Sequence, residues 1–184
     1  MAYVEVFGRC LIGVVFLFSA WSKRPGGGRF KQFSDSLAAM RLLPARFVVP
    51  IATVVVCAEA AVVLLLVPQP LRLLAVAGFA LAIVLLLGFA VSIGLVLRRG
   101  VQASCRCFGG SGAAPFRRHH IVRNLVLVAA AGAGLVAALA EPSLSWEAVA
   151  LAGVPGVVVA LLTTRLDDVV ELFAPAPPVP VRRR

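Results

Sequence analysis

Two cysteines separated by one residue, Cys105-Arg106-Cys107, are the one place in this chain where thiols sit close enough in sequence to act as a pair. With a single residue between them, a disulfide closes a small ring, and a strained disulfide is more easily reduced. Arg98, Arg99, Arg106, Arg117 and Arg118 surround the pair with positive charge, which favours thiolate over thiol and so favours thiol–disulfide exchange or metal ligation. Gly109, Gly110 and Gly112 follow and allow the backbone angles that a small ring demands. Two other outcomes stay open. Cys105 and Cys107 could join His119 and His120 in a zinc or copper site, although adjacent histidines do not share one face of a regular helix. Alternatively the loop is a tight turn whose cysteines only pack. Cys10 and Cys57 each lie within an apolar run and read as small packing residues.

Ionisable residues inside apolar runs are the next candidates. Glu59 lies roughly a dozen residues into its run, about 18 Å along a helix, and a carboxylate at that depth is costly unless protonated, paired or wet. It is expected to face the interior, largely neutral, either in an interhelix contact or handling a proton or hydrogen-bonding a bound quinone or other small molecule. Arg123-Asn124 opens a later run just after His119-His120. An arginine there can snorkel to the interface or hold an anionic group or the cysteine loop.

The elements that must position these residues are membrane helices. Hydrophobic residues make up 61% of the 184-residue chain and charged residues 14%, against about 45–50% and 25% in a soluble domain. The apolar residues fall in blocks near the roughly 20 residues that span a bilayer: about Val4–Trp21, Phe47–Val67, Leu71–Leu97, Ile121–Ala140 and Trp146–Leu162. The first block lacks a long basic leader and a small-x-small cleavage site, and so reads as a retained helix. Arg29–Arg46, with Phe30, Phe33, Leu37 and Met40 at roughly helical spacing, reads as an amphipathic segment at the interface. The expected fold is all-α: a polytopic bundle of five spanning helices. It divides into a four-helix core over 1–140 with the C-x-C loop at 100–120, a fifth helix with a short extension over 141–174, and an extended Pro/Arg tail over 175–184.

Basic residues set the expected orientation. Residues 22–47 hold Lys23, Arg24, Arg29, Lys31, Arg41 and Arg46 against Asp35, and residues 98–123 hold six arginines and no acid. The connections at 68–70 and 141–147 hold no base. By the positive-inside rule the two basic loops and the C-terminus are expected to face the cytoplasm and the N-terminus to lie outside. The net charge of +10 is thus assigned to orientation and anionic lipid, not to nucleic acid, and no phosphate loop, nucleotide fingerprint or catalytic serine arrangement is present.

Lys23 after the first helix, Glu59 within the second, Cys105-Arg106-Cys107-Phe108-Gly109 after the third and Arg123-Asn124 opening the fourth together resemble the MauE branch of the DoxX-like membrane proteins over roughly residues 1–140. Where that family has a small residue between the cysteines, this chain has Arg106. The resemblance implies a multi-helix, redox-associated protein. The family's named member is needed for maturation of a disulfide-rich periplasmic dehydrogenase, and DoxX-like relatives are linked to thiol redox balance. By position it implies a redox role for Cys105 and Cys107 and marks Lys23, Glu59, Arg123 and Asn124 as family-typical polar positions. The functional expectation is thiol–disulfide exchange through the C-x-C pair, with Glu59, Arg123 and Asn124 as binding residues for an unspecified cofactor. Alternatives are an accessory or assembly subunit of a larger membrane complex and a metal-binding membrane protein. The expected partners are the lipid bilayer and another membrane protein.

Overall fold

A computed structural model of the protein describes residues 1–24, 28–67, 71–100, 118–140 and 146–172, with the side chains of 118, 146 and 166–172 left out. The described residues form six helices and no strand: α1 (Ala2–Ser22), α2 (Arg29–Ala39), α3 (Ala45–Leu66), α4 (Arg72–Arg98), α5 (Arg118–Leu139) and α6 (Trp146–Leu172). All but α2 are long and apolar enough to cross a membrane, in agreement with the five expected spans. The chain is therefore a multi-pass membrane protein whose environment is a lipid bilayer.

The apolar blocks become helices because Ala, Leu and Val runs cannot leave backbone groups unsatisfied in hydrocarbon. Pro50 falls in the second turn of α3, where the missing N–H costs one ladder bond near the helix start and the rest of the helix continues. The sixth helix differs from expectation. It continues ten residues past Leu162, to Leu172.

The amphipathic segment, by contrast, is shorter than the sequence indicates. It starts behind Gly28, whose φ of 79° lies in the left-handed region that glycine enters without a Cβ penalty. It ends at Ala39, five residues before Pro44, and Arg41 takes a φ of 51°. The Arg41 carbonyl accepts a hydrogen bond from Arg99 Nη1 at 3.4 Å, so the turn after α2 is tied to the end of α4.

Helices α1, α3, α4 and α5 form the four corners of a bundle: α1 and α4 each pack on α3 and α5, and α6 lies outside against α1. The core is built from Ile12, Val15 and Phe16 of α1, Val62 and Leu66 of α3, Phe79 and Leu86 of α4, and Leu127 and Ala131 of α5. Small residues let the backbones approach, as they do widely between membrane helices. A Cβ on Gly8 would lie 3.3 Å from the Gly134 Cα, and one on Gly156 would lie 2.9 Å from the Phe7 carbonyl oxygen. Large side chains such as Val54, Leu64, Val84, Val91 and Val126 point outward, as lipid-facing residues should.

Helix α2 closes one end of the bundle. Its Leu37, with Met40 just beyond it, packs with Ile93, Val96 and Leu97 of α4 and Ile121 of α5. Around it lie exposed Arg24, Arg29, Lys31, Arg41, Arg46, Arg98 and Arg99. This is the end at which α4 stops and α5 starts, so the segment carrying Cys105 and Cys107 is attached there at both of its ends.

Candidate functional site

The polar centre of the bundle lies one layer beneath α2. Glu59, on α3, is 0% exposed, and Lys23, directly after α1, is 1% exposed. Lys23 Nζ donates to Glu59 Oε1 at 2.5 Å and to Ser19 Oγ at 2.8 Å, and Ser19 Oγ donates to the same carboxylate oxygen at 3.0 Å. Ser19 and Lys23 stand four residues apart on adjacent turns, so one helix end delivers both groups to the carboxylate.

Lys23 reaches a buried acid because α1 is shorter than its neighbour at this end. The Ser19–Glu59 hydrogen bond and the contact between Gly13 and Leu66 fix an antiparallel register in which the first turns of α3 run on past the end of α1. The last residues of α1 therefore lie inside the bundle. Phe33 of α2 and Phe89 of α4 cover the ammonium, with ring centroids 4.7 and 5.5 Å from Nζ, an arrangement that stabilises a desolvated cation.

Helix α5 contributes Asn124, 1% exposed, and Arg123, 7% exposed. Asn124 lies ten residues before Gly134, which meets Phe79, and three after Ile121, which packs on the cluster of Met40, Ile93 and Val96. Antiparallel packing of α4 on α5 therefore sets Asn124 at the level of Phe89 and Ala90, the level of Lys23 and Glu59. Neither Oδ1 nor Nδ2 of Asn124 has a hydrogen-bond partner within the described residues, and neither has Glu59 Oε2. Such buried orphans are uncommon and call for a cause.

Of the residues singled out from sequence, Glu59, Arg123 and Asn124 are thus all buried, and the register places Glu59 and Asn124 in one layer. Glu59 was expected to face protein or a ligand and to be largely neutral; it faces the interior, where Lys23 Nζ lies 2.5 Å from Oε1. Cys105 and Cys107 lie outside the described residues. The His119 and His120 rings lie with centroids 4.0 Å apart and planes tilted by 42°, and among the described residues no group of three or more His, Cys, Asp or Glu is placed to hold a metal. Cys10 packs at the α1–α6 contact, 3.6 Å from the Cβ position of Gly153, whereas Cys57 lies on the outer face of the bundle.

Sequence reasoning passed over a second ion pair. Glu5 and Arg9, one turn apart on α1, are both buried and joined at 2.5 Å. Arg9 Nη1 also donates to the Val67 carbonyl at 3.4 Å, fixing α1 to the end of α3 opposite α2. The i,i+4 spacing of Glu5 and Arg9 was the available signal.

A helical bundle with five apolar spans and, among the described residues, two buried ion pairs defines a polytopic membrane protein with a polar interior, a combination characteristic of functional sites within membranes. The chain belongs to the MauE family, described as methylamine utilisation protein MauE, which matches residues 1–139. That range ends with the last residue of α5, so α6 lies beyond the match. No curated protein and no solved structure matches the chain.

Proposed function

We propose that this membrane protein of the methylamine-utilisation family carries out thiol–disulfide exchange through Cys105 and Cys107, with Glu59, Arg123 and Asn124 lining a binding chamber behind them. The observation that carries the reading is the buried layer of Lys23, Glu59 and Asn124 at the end of the bundle from which the C-x-C segment leaves and to which it returns. A chain that needed only to span the bilayer has no use for a paired carboxylate and an unpartnered amide in its interior, since both are costly in hydrocarbon.

In the exchange, the thiolate of one cysteine attacks a disulfide in a partner protein and forms a mixed disulfide, releasing one partner thiolate. The second cysteine then attacks its neighbour's sulfur, closing the C-x-C disulfide and releasing the other partner thiolate. Two electrons and two protons pass to the partner, and the reverse sequence oxidises it. Arg98, Arg99 and Arg106 favour the attacking thiolate. The basic end faces the cytoplasm of the inner membrane in this reading.

Rapid alkylation of the purified protein across a series of thiol redox buffers, read by mass spectrometry, tests it. The expected result is a mutual Cys105–Cys107 disulfide that forms and breaks at a definite potential. Two thiols that never pair at any accessible potential, with partner oxidation unchanged in the double Cys→Ser variant, refute the exchange and favour an accessory-subunit role.

A further inference from the structure

The four corner helices each send one side chain to the same level of the bundle: Lys23 from the end of α1, Glu59 from α3, Phe89 from α4 and Asn124 from α5. Helices α3 and α5 stand on the diagonal, with α1 and α4 between them. Glu59 Oε2 and the Asn124 amide thus lie buried in one layer on opposite corners, and neither has a hydrogen-bond partner among the described residues. Lys23 and Glu59 neutralise one another, so a head group that meets Oε2 and the amide needs no charge of its own to offset the carboxylate. The three atoms call for donors toward Oε2 and Oδ1 and an acceptor toward Nδ2, the pattern of two hydroxyl groups on one small molecule.

From this geometry we infer that the layer is a binding site for a small uncharged dihydroxy head group, held by Glu59 and Asn124 beneath the Phe33 and Phe89 rings that cover Lys23. Hydroxyls donate to both orphaned oxygens, and a hydroxyl lone pair accepts from the Asn124 amide. Burial among helices admits such a head group either free from the aqueous side, past α2, or on an apolar tail from the bilayer. The inference deepens the reading of the chamber as a binding site and is independent of the thiols.

Resorcinol and 4-hexylresorcinol serve as redox-inert probes of the two sources, with 1,3-dimethoxybenzene as the analogue that cannot donate. Binding to the full chain in nanodiscs is read as a saturable rise in unfolding temperature. Both dihydroxy probes are expected to bind if the head group comes from water, and only the hexyl derivative if it comes from the bilayer. In either case the dimethoxy analogue binds at least tenfold more weakly, Asn124→Leu and Glu59→Gln each weaken binding about tenfold, and Cys105→Ser/Cys107→Ser leaves it unchanged. The two chamber variants are compared only where circular dichroism shows native helix content, and Asn124→Asp, which keeps the side-chain shape, stands in if Asn124→Leu does not fold. No saturable shift with either dihydroxy probe, or equal shifts in wild type and the chamber variants, overturns the inference and leaves the layer to water. Loss of thiol pairing with probe binding intact refutes the exchange reading alone.

Discussion

Replacing Lys23 by Met leaves the Glu59 carboxylate with a serine hydroxyl in place of a cation. Both partners are at most 1% exposed, so water screens neither, and breaking one side of such a buried pair costs about 3–5 kcal/mol. Glu59→Leu, which strands the ammonium between Phe33 and Phe89, is expected in the same range. The double variant Lys23→Met/Glu59→Leu removes both charges and both desolvation penalties, and buried pairs replaced in this way are often neutral or stabilising. The expected double-mutant coupling is therefore about 6–10 kcal/mol in magnitude, beyond the roughly 0.5–3 kcal/mol usual for residues in contact. Ser19→Ala sets the scale for a hydrogen bond alone, about 0.6 and at most roughly 1.7 kcal/mol within membrane bundles. Reversible unfolding in mixed micelles of rising SDS fraction, followed by circular dichroism, supplies the four free energies. If the two single costs add in the double variant to within about 0.5 kcal/mol, the pair is not an energetic unit and the account of the layer fails.

Gly134→Ala puts a Cβ at 2.5 Å from Phe79 Cζ and is expected to lower stability by about 1–3 kcal/mol. Phe79→Leu should restore most of that loss, and Gly132→Ala, with nothing within 4 Å of its Cβ, should be tolerated in the same unfolding assay. Reporter fusions at positions 69, 110 and 143 are expected to read outside, inside and outside in that order; an outside signal at 110 or an inside signal at 69 reverses the orientation.

The spans were legible because membrane helices announce themselves by length and composition, and α2 because Phe33, Leu37 and Met40 keep a helical spacing. The interior position of Glu59 was legible from cost alone: a carboxylate at that depth has to face protein. Its partner was not. A lysine at the end of an apolar block reads as an interfacial anchor, and only the offset of α1 against α3 turns Lys23 inward. Glu5–Arg9 was hidden for a related reason, since charges near a helix start read as lying at the membrane surface. Hydropathy weighs each residue by its neighbours in sequence, and the polar layer is assembled from residues whose neighbours in sequence are apolar.

The reach of Lys23 to Glu59 has a consequence for biogenesis. The lysine precedes its acid by 36 residues, so at about 5–20 residues per second α1 is complete roughly 2–7 s before its partner has been synthesised. Over that interval Glu5 and Arg9 can satisfy each other within α1, whereas Lys23 has to wait at the bilayer surface. Its passage inward then accompanies the arrival of α3, and the ion pair marks the moment at which two separately inserted hairpin arms become one assembly.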